Sequence, residues 1–104
     1  MSIDRAKAQK AAQKYLAKGQ IDRAIAEFEK VVQSDPSDAR SLLKLGDLYT
    51  RRGDVRGAIT TYRKVASRYA TEGFFLKAVA VYKQILKLQP ALIDVNTRDR
   101  KSVV

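Results

Sequence analysis

The chain contains no cysteine and no histidine. Without thiols there is no disulfide framework, no thiolate nucleophile and no zinc site of the cysteine type. Without imidazole the usual general base and the commonest metal ligand are missing as well, which sets hydrolase and metalloenzyme chemistry aside. A cysteine-free chain also suits a reducing compartment. Long apolar runs are lacking. Stretches such as Ala78 to Tyr82 fall far short of a membrane span, and Met1-Ser2-Ile3-Asp4-Arg5 leads into no apolar signal core, so no membrane span and a cytoplasmic location are expected. The basic, alanine-rich start has a faint transit-peptide character but follows the periodicity of the rest of the chain. Gly53-Asp54-Val55-Arg56-Gly57 lacks the pattern of a phosphate loop, and Asp22, Glu27 and Glu29 offer no pair with an acid and base division. The chain is therefore not expected to be an enzyme, and no cofactor or metal is implied.

Acidic residues are scarce beside basic ones: 21 Lys and Arg face 11 Asp and Glu, a formal charge of +10. Such an excess attracts phosphate backbones, anionic lipid or acidic protein segments. The basic residues are spread over the whole chain with no run of five, the pattern of a solvated basic surface.

What is present is a periodic apolar pattern. Ile21, Ala24, Ile25, Phe28, Val31 and Val32 share one helical face; so do Val55, Ala58, Ile59, Tyr62, Val65 and Ala66, and again Phe75, Ala78, Val79, Tyr82, Ile85 and Leu86. In each stripe an alanine precedes an aromatic by one turn, so a close backbone approach is followed by a ring that fills the adjoining space. The first two stripes lie 34 residues apart, and the same offset relates Gly19 to Gly53, Tyr15 to Tyr49 and Ala12 to Gly46. Gly19 and Gly53 stand where a helix must end, and Asp35-Pro36-Ser37-Asp38 closes one unit and offers a cap for the next helix. Helices are expected at about 4–18, 21–34, 38–51, 54–70 and 74–88.

Through Ala12-x-x-Tyr15, Gly19, Ala24, Phe28 and Pro36 in one unit, and Leu45-Gly46-x-x-Tyr49, Gly53, Ala58 and Tyr62 in the next, the chain resembles the tetratricopeptide repeat family. The resemblance covers nearly all of residues 5–92. It implies an all-α fold of antiparallel helix-turn-helix repeats stacked as a right-handed α-solenoid of about five helices, an array over 1–92 with units at about 5–38 and 39–72. The third stripe follows the second by only 20 residues, so a third unit ending near Pro90 must share the helix at 54–70, which carries Val65-Ala66-x-x-Tyr69 and Gly73 in the order of Ala12, Tyr15 and Gly19. Ala70 stands where the family would have a proline.

Residues 93–98 read as the start of a further, truncated helix. Asp99-Arg100-Lys101-Ser102-Val103-Val104 has no place in the repeat, and its back-translation GAT CGG AAG AGC GTC GTG resembles a sequencing-library adapter. Residues 99–104 are accordingly expected to be a non-native tail, whose exclusion changes the formal charge only from +10 to +9.

In the family, the first helices of the units line a concave groove that takes up extended or helical peptides. By resemblance the lining residues are Gln9, Gln13, Leu16 and Ala17, then Arg40, Leu43, Lys44, Asp47, Thr50 and Arg51, joined by Thr60, Arg63, Lys64 and Ser67 if the helix at 54–70 doubles as a lining helix. Some members clamp a free carboxylate with asparagine, lysine and arginine; Gln9, Gln13, Lys44, Thr60 and Lys64 stand at those places, so that clamp is absent. Arg40, Lys44 and Arg51 still favour an acidic or phosphorylated peptide. The packing positions implied are Ala12, Tyr15, Ala24, Phe28, Gly46, Tyr49, Ala58, Tyr62, Ala78 and Tyr82. The tyrosines fall on these positions, which makes them core rather than stacking platforms for bases. The function expected is a bacterial adaptor or scaffold that holds a protein or peptide partner in its groove. A basic binder of nucleic acid or anionic membrane and a regulatory segment of a larger protein are the alternatives; nucleic acid is not the expected partner. Self-association through an uncapped last helix is also expected.

Overall fold

A computed structural model describes the backbone from Asp4 to Val103 and the side chains from Asp4 to Gln89. Five helices follow one another: α1 (Arg5–Ala17), α2 (Ile21–Ser34), α3 (Ala39–Arg52), α4 (Val55–Thr71) and α5 (Phe75–Val103). Local chemistry sets most of the boundaries. Asp4, Asp38 and Asp54 are N-caps whose carboxylates accept from the backbone N–H of Lys7, Ser41 and Gly57, satisfying donors that a helix start leaves unpaired. The turns after α1, α3 and α4 share one geometry. Gly19, Gly53 and Gly73 adopt φ of 75°, 89° and 85°, values that L side chains avoid. Each lets the next backbone N–H reach back to a tyrosine carbonyl at 2.8 Å: Gln20 to Tyr15, Asp54 to Tyr49 and Phe74 to Tyr69. The link between α2 and α3 works differently. The Asp35 carboxylate accepts from the Ser37 N–H at 3.2 Å and the Ser37 hydroxyl at 2.7 Å, a local turn that positions Asp38 to cap α3.

Among the described residues the backbones pack chiefly as sequence neighbours: α1 on α2, α2 on α3, α3 on α4 and α4 on α5. One core cluster unites Ala12, Ala24, Ile25, Phe28, Leu45 and Leu48; the next unites Leu42, Ala58, Ile59, Tyr62, Val65, Ala66, Val81 and Ile85. Val32 and Tyr49 join both, so the core is continuous along a helical-repeat solenoid. Contact between α3 and α4 is close because Gly46 has no Cβ where the Tyr62 ring passes.

The structure differs from the sequence reading in α5. Ala78, Val81 and Ile85 are buried against α4, whereas Phe75, Val79, Tyr82 and Leu86 are exposed. Tyr82 is thus not a packing residue. The stripe of α5 imitates those of α2 and α4, but α5 contributes Val81 and Ile85, not Tyr82, to the core it shares with α4 and Leu42. Nor does the helix stop before Pro90. α5 runs from Phe75 to Val103. The side chains of 93–98 and of the expected non-native tail at 99–104 lie outside the described residues.

Candidate functional site

Because neighbouring helices run antiparallel, α1, α3 and α5 point the same way, and hollows between them open on one face. Between α1 and α3 lies a cavity of about 340 Å³ lined by Gln9, Ala12, Gln13, Leu16, Phe28, Lys44, Asp47, Leu48 and Arg51. Amides and charges rim it, and Phe28 and Leu48 form an apolar floor. A second hollow of about 370 Å³, between α3 and α5, is lined by Leu43, Asp47, Tyr62, Tyr69, Lys77, Ala80, Val81 and Gln84. Asp47 borders both.

The charges on this face divide into engaged and unengaged. The Asp47 carboxylate accepts a hydrogen bond from the Tyr62 hydroxyl. Burial and this carboxylate together push the Tyr62 phenol up to about 12. Lys77 lies over the rings of Phe74 and Tyr69, at 5.1 and 5.7 Å from their centroids. Arg5 pairs with the buried Asp38 at 3.1 Å. On the far side of α3, Arg52 is tied to Asp22 at 3.0 Å and Asp54 at 3.4 Å, and its hydrogen bond to Asp22 chiefly raises its own pKa. Lys44 and Arg51 have no carboxylate partner among the described residues, so both present free donors to the first cavity.

Gln9, Gln13, Lys44, Asp47 and Arg51 thus come together, and Leu43 and Asp47 line the adjoining hollow. Arg40 lies outside the first cavity, in a hollow at the helix starts with Arg5, Asp35, Ser37, Asp38, Ala39, Tyr69 and Lys77, the last two of which also border the α3–α5 hollow. Arg63 and Lys64 do not join the groove either. They line another hollow with Pro36, Leu42, Ser67, Arg68 and Thr71, because α4 spends its opposite face, Ala58 to Ala66, on the core between α3 and α5. The third lining helix is α5 instead of α4, and Lys77, Ala80 and Gln84 are groove residues that the periodicity missed. Helix order carried the signal: every second helix lines the same face.

The family model described as tetratricopeptide repeat matches residues 10–72, more than half of the chain. The chain belongs to the tetratricopeptide repeat family. Two solved structures of tetratricopeptide repeat domain proteins from Salinibacter ruber are similar to it. The solution structure superposes with a TM-score of 0.72 at 29% identity, covering 84% of this chain and 88% of that one. The crystal structure gives 0.68 at 28% identity, covering 85% and 98%. Among curated proteins, the photosystem I assembly protein Ycf3 of Synechococcus sp. (strain WH7803) is 29% identical over 76 residues, 73% of this chain and 40% of that protein. The chain therefore spans less than half the length of that relative. Tetratricopeptide repeats generally mediate protein–protein interaction, and no helix among the described residues is long and apolar enough to cross a membrane.

Proposed function

We propose that the chain is a non-enzymatic adaptor of the cytoplasm whose α1–α3–α5 groove holds an acidic segment of a partner protein. The observation that carries this reading is the pairing of an apolar floor with the unpartnered Lys44 and Arg51 in one cavity. Charge-assisted bonds from these donors favour carboxylate or phosphate groups, while Phe28 and Leu48 accept an apolar side chain beside them. The similarity to a protein named for the assembly of a complex supports a scaffold role in general terms.

Lys44→Glu together with Arg51→Glu is expected to keep helicity by circular dichroism and to lose binding to a library of short acidic peptides. Arg40→Glu, at the helix starts and away from the Phe28 and Leu48 floor, should have a smaller effect. Undiminished peptide binding by the double variant would remove the site from this groove. Preference for random-sequence duplex DNA, with affinity falling steeply in salt, would favour the electrostatic alternative.

A further inference from the structure

Every large hydrophobic side chain that the described residues leave exposed lies between Phe74 and Leu86. Phe75, Val79, Tyr82 and Leu86 follow one face of α5 at 66%, 48%, 46% and 62% exposure. This face is distinct from the groove side of α5, which carries Lys77, Ala80 and Gln84. Another amphipathic helix is what this fold lays against its helices: α4 passes its Tyr62 ring across Gly46 of α3 and buries its own apolar stripe there. Charge then narrows the occupant. From Phe75 to Gln89, α5 has Lys77, Lys83 and Lys87 and no acidic residue, and Lys83 and Lys87 border the apolar stripe.

We propose that the outer face of α5 docks an amphipathic helix of a partner protein whose apolar stripe is flanked by acidic residues. Packing would bury the stripe, and the partner's carboxylates would meet Lys83 and Lys87. A second copy of this chain fits less well, since two α5 faces would bring like charges together.

The test uses the full chain and two labelled peptides with leucines at i, i+4, i+7 and i+11, one with glutamate and the other with lysine at the remaining positions. Fluorescence anisotropy should show binding of the glutamate peptide only. Val79→Ser with Leu86→Ser, and separately Lys83→Glu with Lys87→Glu, should each weaken it by roughly tenfold or more. These side chains are exposed, so the variants should fold, which circular dichroism checks. Docking on α5 is read as the binding that survives Lys44→Glu with Arg51→Glu; loss of all binding there and retention in the α5 variants would assign the peptide to the groove and overturn the proposal. Equal binding of the lysine peptide would overturn it too. So would a dimer, seen by light scattering, that Val79→Ser with Leu86→Ser dissolves, or binding to phosphatidylserine vesicles in preference to the peptide.

Discussion

At Gly46 an absent methyl group decides how closely α3 and α4 approach. A Cβ there would stand 2.7 Å from Cε1 and 2.9 Å from Cδ1 of Tyr62, inside van der Waals contact, and that ring is buried and tethered through its hydroxyl to Asp47. In the preceding unit Ala12 and Phe28 occupy the same places, where a methyl is tolerated. Gly46→Ala should therefore destabilise. Overpacking costs about 1–3 kcal/mol and alanine's better helix propensity returns about 1, leaving a net loss of up to about 2 kcal/mol measurable by thermal melts. Wild-type stability would mean that the ring gives way. The tyrosines also carry a pH dependence. Burial, and then the Glu29 carboxylate that accepts its hydroxyl at 2.7 Å, push Tyr49 up to about 12, as burial and Asp47 do for Tyr62. An unfolded tyrosine loses its proton near pH 10, so this stability is fully present below pH 10 and is lost as pH rises through about 12. Melting temperature measured across that window should fall less steeply for Tyr49→Phe than for the wild type. Identical slopes would show that the phenol does not contribute.

At the scale of an element, the start of α3 is tied to the start of α1. Asp38 accepts from the Ser41 N–H at 3.3 Å and the Ser41 hydroxyl at 2.7 Å, and pairs with Arg5 at the start of α1. Asp38→Ala is expected to cost about 1–2 kcal/mol, mostly as the lost cap, and to increase amide exchange at the start of α1 along with that of α3. Asp38→Asn keeps a capping oxygen and loses the charge, so it should recover much of the α3 protection but not that of α1. Protection of α1 unaffected by either substitution would show that the ion pair adds nothing. The positions of these helices were legible from capping residues and glycines, because both act within a few residues. The role of α5 was not. Phe75, Ala78, Val79, Tyr82, Ile85 and Leu86 repeat the pattern of a second helix, yet α5 buries Ala78, Val81 and Ile85. A helix with apolar residues around much of its circumference has more than one face able to pack, and its neighbour chooses between them.

Across the whole molecule, interactions between adjacent helices explain why so much could be read in advance. Turn glycines, aspartate caps and the spacing of Ala24 with Phe28 and Ala58 with Tyr62 are local signals, and a solenoid adds its units one beside the next. The sequence by itself determined the five-helix all-α repeat, its turn geometry and its family. Part of the groove was legible as well, since Gln9, Gln13, Lys44 and Asp47 share a cavity with Arg51. Tertiary structure alone decided that α5 lines this groove, that Arg63 and Lys64 stand outside it, and that Tyr82 faces outward with Phe75, Val79 and Leu86. The physical reason is that periodicity tells which residues share a face of a helix, whereas only the helices packed against it determine which face is covered.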